Sequence, residues 1–326
     1  MSLLHGNSGK IPHILLIRRM WNSQKPHLAF EWLPLQPFMK SGFVNLFGKP
    51  NAGKSTLLNA LMGEKLAIVS PKVQTTRHRI KGILTDPAWQ MVLSDTPGII
   101  DPRYKLHEKM MDTVKQAVAD TDLALLLLDG RDNLEENDQI FSGLHLKVPA
   151  LVLINKSERM SKEEVEAVKV FFMDKKYCTE ILAISALKKI NTDILFERII
   201  HHLPEGEPFF DGEEMTDRPM KFFVGEMIRE KIFSMYEDEI PYHTAVLVQE
   251  YRDKDTLTKI QADIIVQRET QKGILLGEGG KMIKQLGSEA RKEIEAFIGR
   301  KVFLELFVKV RPKWRDNEWQ LREYGY

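Results

Sequence analysis

Residues Gly48-Lys49-Pro50-Asn51-Ala52-Gly53-Lys54-Ser55 fit the pattern G-x-x-x-x-G-K-[ST]. A loop of this kind wraps phosphates. Backbone N–H groups of residues 51–56 would point inward, Lys54 would reach the terminal phosphates, and Ser55 would hold Mg²⁺. Three further stretches carry related chemistry. "SDTPG" sets Asp95 where a carboxylate can orient a water on Mg²⁺, followed by Thr96, Pro97 and Gly98, whose N–H can sense the last phosphate. "LINKSE" presents Asn155, Lys156, Ser157 and Glu158 to a base, and "ISAL" adds backbone groups of Ser185 and Ala186. Alone, each short stretch reads as readily as an ordinary turn. Their order along the chain is what makes them a set.

Positioning such a set needs a scaffold. The runs "FVNLF", "QMVLSD", "LALLLLD", "ALVLIN" and "EILAIS" are short, apolar and each followed by polar residues. Between them, "LLNALMG", "EENDQIFSGLHL", "KEEVEAVKVFFMDK" and "NTDILFERIIHHL" have helical spacing. Strand and helix alternating at this rhythm predict a mostly parallel sheet covered on both faces. Ligands then bind at the carboxyl ends of the strands, where the chemical residues fall. The phosphate loop sits between a strand and a helix, whose N-terminus adds partial positive charge.

Taken together, the stretches resemble the phosphate, DxxG, NKxD and SA motifs of P-loop GTPases. "GKPNAGKS", "QTTRHRI" and "DTPG" narrow the resemblance to the TrmE–Era class. That resemblance implies GTP as the ligand and Mg²⁺ as the metal. It makes "VSPKVQTTRHRIKGI" the first switch region, with Thr76 as the metal ligand and Thr75 as the alternative. Ile99 occupies the place where many GTPases carry a water-orienting Gln, so intrinsic hydrolysis should be slow. The class uses the residue at Asn51 to place a K⁺ near the β–γ bridge, as a substitute for an arginine finger. Glu158 stands where Asp is usual, which lengthens the reach to guanine by one methylene and should weaken guanine preference.

Beyond "PEGEPFFDGEEMTDRP", rich in Pro, Gly and acids, the rhythm changes. "KFFVGEMIREKIFSM" is helical; "HTAVLVQEYRD" and "LTKIQADIIVQR" alternate like neighbouring antiparallel strands. "GILLGEGGKMIKQLGSEARKEIEAFI" reads as helix, glycine turn, helix, and "KVFLELFVKV" closes as a strand. The order α-β-β-α-α-β with GxxG between the central helices resembles an α+β type II KH domain, which implies RNA binding. The turn is Gly277-Glu278-Gly279-Gly280, followed by Lys281 and Lys284, with Arg291 and Lys292 further along. Such a turn lets a nucleic-acid backbone approach closely. Glu278 sits where a basic residue is usual and should oppose phosphate. Trp314, Arg315, Trp319 and Arg322 in the tail either stack on bases or pack on the domain.

The chain has 326 residues and a formal net charge of +1, so bulk charge argues neither for nor against nucleic acid. A single cysteine, Cys178, excludes an internal disulfide framework and suits a reducing compartment. The expected layout is a poorly ordered extension over 1–41, a GTPase domain over 42–204, a linker over 205–218, a KH domain over 219–315 and a tail over 316–326. A GTPase domain followed by one KH domain resembles the Era family of ribosome-assembly GTPases over nearly the whole chain. The resemblance implies a cytoplasmic monomer that binds GTP or GDP and the 3′ end of small-subunit ribosomal RNA. It also implies contact with the small subunit and peripheral contact with the inner membrane face. Three rivals carry less: an RNA chaperone that barely hydrolyses, an RNA-modification GTPase of the TrmE kind, and an ATPase favoured only by Glu158.

Overall fold

The computed structural model describes residues 39–254 and 256–326. The expected extension lies mostly outside the described residues; Lys40 and Ser41, placed in it, already belong to the first strand.

The first layer follows the order β1 (Lys40–Phe47), α1 (Lys54–Met62), β2 (Ile80–Asp86), β3 (Trp89–Asp95), α2 (Lys105–Ala119) and β4 (Leu123–Asp129). It continues with α3 (Leu134–Gly143), β5 (Ala150–Asn155), α4 (Lys162–Met173), β6 (Glu180–Ala183) and α5 (Thr192–His202). These strands make a six-stranded sheet in the order β2-β3-β1-β4-β5-β6. Every pairing is parallel except β2 against β3. Apolar clusters cover both faces, as continuous runs such as "LALLLLD" demand. Strand β1 has β3 on one side and β4 on the other, so the loop after β1 emerges where the strand order reverses.

Strand β2 was not among the expected runs. It holds Gly82, which reads as a breaker in sequence. A Cβ there would lie 2.5 Å from Met62 Sδ, so the helix end above it accounts for the glycine.

The second layer has the expected order: α6 (Met220–Met235), β7 (Ala245–Asp253), β8 (Thr258–Val266), α7 (Glu269–Leu276), α8 (Lys281–Ile298) and β9 (Val302–Val310). Its sheet runs β7-β8-β9, antiparallel then parallel. The segment expected as a free linker is laid along the first sheet. Gly206 N donates to Met39 O at 2.9 Å and Ile83 N to Met215 O at 2.8 Å. Gln90 accepts from the N–H groups of Phe209 and Phe210.

The tail packs rather than standing free. Trp314 is fully buried, and its indole N–H donates to His243 O at 2.9 Å. Leu321 and Tyr324, in and just after α9 (Glu318–Glu323), share an apolar cluster with Met110 and Val114 of α2 and Ala245 and Ile265 of the second sheet. Trp319 alone of the tail tryptophans faces outward, 70% exposed. No helix among the described residues is long and apolar enough to cross a membrane.

Candidate functional site

The loop Gly48–Ser55 turns tightly because its glycines and Asn51 adopt positive φ, +148° at Gly48, +63° at Asn51 and +101° at Gly53. The glycines are required by packing as well as by φ. A Cβ on Gly48 would lie 2.2 Å from Leu127 O, and one on Gly53 2.2 Å from Asn155 Nδ2. Helix α1 starts at Lys54 with no side-chain cap, whereas Asn133 caps α3 and Ser161 caps α4. The first N–H groups of α1 are therefore left to an anion. Lys54 Nζ curls back onto Gly48 O at 3.0 Å and Lys49 O at 2.8 Å. Burial pushes its ammonium down to about 8, with Asp95 opposing the shift. Of the rest of the loop, Lys49 pairs with Glu136 at 2.8 Å, Ala52 is buried, and Pro50 lies against Gly98.

At the end of β3, Ser55 Oγ donates to Asp95 Oδ2 at 2.6 Å and Thr76 Oγ1 to the same oxygen at 3.1 Å. The two hydroxyls are 2.9 Å apart. Adjacent ligands of an octahedral Mg²⁺ at about 2.0–2.1 Å are separated by about 2.9 Å. The donor set is all oxygen, and Asp95 Oδ1 is buried with no hydrogen-bond partner among the described residues. These residues fit Mg²⁺. Burial pushes the Asp95 carboxyl up, against Lys54 and the two hydroxyl donors. Of the two threonines, Thr75 instead donates to Lys72 O at 2.7 Å, so the geometry favours Thr76.

The following turn is seated on the phosphate loop. Thr96 Oγ1 donates to Leu46 O at 2.5 Å, Pro97 is buried, and Ile99 N donates to Gly48 O at 3.1 Å. A Cβ on Gly98 would lie 2.7 Å from Pro50 N. Ile99 packs its side chain on the apolar cluster beneath α2. Asn51 Nδ2 donates to Pro71 O at 2.8 Å, a bond in which its carbonyl oxygen takes no part.

On the far side, Asn155 is a strut. Its Nδ2 donates to Ala52 O at 2.8 Å and its Oδ1 accepts from Ala186 N at 3.0 Å. The amides of Ser185 and Ala186, expected to face a base, are both used within the chain, since Ser185 N donates to Ile190 O at 3.1 Å. Lys156, at φ +61°, reaches Asp129 at 2.7 Å. Ser157 opens a short 3₁₀ turn that carries Glu158. The Glu158 side chain is only 17% exposed, and its Oε2 is buried with no donor among the described residues. An unpaired buried acceptor costs about 1–3 kcal/mol, and more when charged. A ligand N–H would remove that cost.

In the second layer, Gly277, Gly279 and Gly280 have φ of +68°, +58° and +77°. A Cβ on Gly279 or Gly280 would meet nothing within 4 Å. Glu278, Lys281 and Lys284 are exposed around this turn, as are Arg291 and Lys292 on α8, the latter paired with Glu289 at 2.8 Å.

Sequence reasoning gave no role to Arg77. Its guanidinium is buried and lies wholly against the second layer. Only its place beside Thr76 hinted at a function.

Residues 43–156 match the family described as 50S ribosome-binding GTPase, and residues 239–315 the KH domain family. The chain is 41% identical over 292 residues to GTPase Era of Caldanaerobacter subterraneus subsp. tengcongensis, covering 88% of this chain and 98% of the relative. GTPase Era of Leuconostoc citreum is also 41% identical, with 88% and 96% covered. A crystal structure of Era in complex with MgGDPNP and nucleotides 1506–1542 of 16S ribosomal RNA superposes with a TM-score of 0.85 at 38% identity, covering 88% of this chain and 99% of that one. An Aquifex aeolicus Era variant bound to GDP·AlF4⁻ gives 0.85 at 37% identity with the same coverage. Since such relatives are matched over nearly their whole length and share both layers, this chain belongs to the Era family of GTPases and hydrolyses GTP.

Proposed function

We propose that this chain is a GTP-driven switch that binds the 3′ end of small-subunit ribosomal RNA through its KH domain and assists assembly of the small subunit. It would work as a monomer in the cytoplasm, over the domain limits drawn from the sequence except that the GTPase domain opens at Lys40. The observation that carries the nucleotide half is the cluster of Ser55, Thr76 and Asp95 oxygens beside the uncapped start of α1. The RNA half is supported by the relative that holds nucleotides 1506–1542 of 16S ribosomal RNA, and by the open glycine turn.

In this reading Lys54 leaves the carbonyls of Gly48 and Lys49 for the β and γ phosphates. Ser55, Thr76 and, through water, Asp95 would hold Mg²⁺, which would supply charge neutralisation at the phosphate oxygens. Gly98 N–H follows the γ phosphate. Asn155 keeps the phosphate loop and the base-reading loops in register, and Lys156 covers the base. Glu158 Oε2 accepts from guanine, which is what favours GTP over ATP. Ile99 offers the attacking water no side-chain hydrogen bond, so intrinsic hydrolysis is slow, and Asn51 would hold a K⁺ near the β–γ bridge whose charge would stand in for an arginine finger. The reading of the chain as a chaperone with negligible hydrolysis is not favoured, because its curated relatives are GTPases.

The test is a side-by-side titration of GTP and ATP, with single-turnover hydrolysis in K⁺ and in Na⁺ at equal ionic strength. One charged hydrogen bond predicts GTP tighter by about tenfold or more. Hydrolysis should be faster in K⁺, and Asn51→Ala should erase the difference. Equal affinities would sink the role of Glu158; equal rates would sink that of Asn51.

A further inference from the structure

Thr76 and Arg77 are consecutive and serve different layers. The Thr76 hydroxyl sits with Ser55 and Asp95. The Arg77 guanidinium, 2% exposed, enters a turn just before β7. Nη1 donates to Thr244 O at 2.7 Å, and Nη2 to Pro241 O at 3.1 Å and Tyr242 O at 3.0 Å. Tyr326 OH lies 3.4 Å from Nη1, and the Trp314 ring is stacked 6.0 Å away. With both terminal nitrogens bonded to backbone carbonyls of the second layer, Arg77 is not placed to act as an arginine finger.

The same stretch is tied to the second layer twice more. Lys72 Nζ donates to Tyr236 O at 2.5 Å and pairs with Glu237 at 3.0 Å. Val69 N donates to Glu230 Oε1 at 3.0 Å. The segment that delivers Thr76 is thus framed by the C-terminal end of α6 and the turn after it. Lys would not replace Arg77, because one ammonium cannot span three fixed carbonyls as a planar fork does.

We propose that Arg77 is a positioning residue for the GTPase: docked in the carbonyl cup of the KH domain, it holds Thr76 at the metal, so that domain docking and binding of Mg²⁺ with the triphosphate favour one another. This rests on Thr76 as a metal ligand, as read above. Linkage makes the effect reciprocal. GDP lacks the γ phosphate that needs Thr76, so the coupling belongs to the triphosphate state alone.

The test uses the full chain, with fluorescent GDP and a non-hydrolysable GTP analogue, each titrated with and without Mg²⁺. In Arg77→Ala and Arg77→Lys the analogue with Mg²⁺ should weaken on the order of tenfold, within the usual range of coupling between sites, while GDP stays within about twofold. A merely structural role would weaken both nucleotides alike, and that outcome, or no change in either, overturns the proposal. The parent gives a second measure that does not depend on a variant folding. Amide exchange at residues 242–245 should be slower with the analogue than with GDP, and equal exchange overturns the proposal. A parent whose preference for the analogue does not need Mg²⁺ would overturn the Thr76 assignment itself and the proposal with it.

Discussion

The two glycine turns of this molecule look alike in sequence and differ in what surrounds them. In the phosphate loop, a methyl on Gly48 or Gly53 would run into the protein's own atoms at 2.2 Å. In the KH turn, a methyl on Gly279 or Gly280 would stand in open space. The first loop needs glycine because the chain itself closes on it, through Leu127 O and the Asn155 strut. The second is closed in the same way only at Gly277, where a methyl would lie 2.5 Å from Met282 Cγ; Gly279 and Gly280 are needed for their backbone angles and for whatever approaches from outside. One loop is closed by the protein's own atoms at both glycines; the other is closed at its first glycine and opens outward at its last two.

The largest effect should come from the locked loop. Gly53→Ala places a methyl against Asn155 Nδ2 at a φ of +101°. Asn155 would have to release Ala52 O or Ala186 N, and the phosphate loop would lose its register with the base loops. A displacement near 1 Å at a reacting site costs about 100-fold, and nucleotide affinity and hydrolysis should fall at least that far. Titration with a fluorescent nucleotide checks this. Parent-like affinity would break the comparison, since it would mean the loop has slack.

Gly279→Asp should behave in the opposite way. At φ +58° and ψ +22° the residue is left-handed, a region Asp tolerates for about 1–2 kcal/mol at most, and no atom is displaced. The unfolding temperature should move by only a few degrees, and GTP affinity should not change. Binding of a single-stranded ribosomal 3′-end oligonucleotide should fall by about tenfold or more, as a side chain and a charge now occupy the approach. If RNA binding survives, the RNA lies elsewhere, with the exposed Trp319 the first place to look.

What the sequence disclosed follows the same division. Strand runs, the phosphate loop and the α-β-β-α-α-β order were legible because each is a local pattern with its own physical cause. The threonine pair stayed ambiguous until the fold brought Thr76, and not Thr75, to Asp95. Strand β2 was hidden by Gly82, whose reason is Met62 on another element. Arg77 read as one more cation in a polar loop, because its partners are carbonyls more than 160 positions away and carbonyls have no sequence signature. The tail tryptophans could not be sorted either. Trp314 and Trp319 both have polar neighbours, and only the apolar surface offered by α2 and the second sheet buries one and leaves the other out.

The smallest expected effect sharpens the comparison most, because it changes charge without touching shape. Glu278 is exposed at the open turn, between Gly277 and Gly279, with Lys281 and Lys284 at the start of the next helix. Among the described residues its carboxylate has no hydrogen bond or ion pair whose loss would confuse the reading. Glu278→Lys removes one repulsion from an approaching phosphate and adds one attraction. RNA should bind several-fold tighter at low salt. For single strands each added phosphate contact steepens the fall of log K with log salt by about 0.7, so the gain should shrink as salt rises. Nucleotide affinity should stay where it was, because the phosphate loop lies in the other layer. Titrations at two salt concentrations, with the same oligonucleotide used for Gly279→Asp, give both the affinity and the slope. A tighter complex with an unchanged slope would mean the lysine works through something other than the phosphate backbone. No change in either would mean that this turn, though open and rimmed with lysines, is not where the RNA backbone runs.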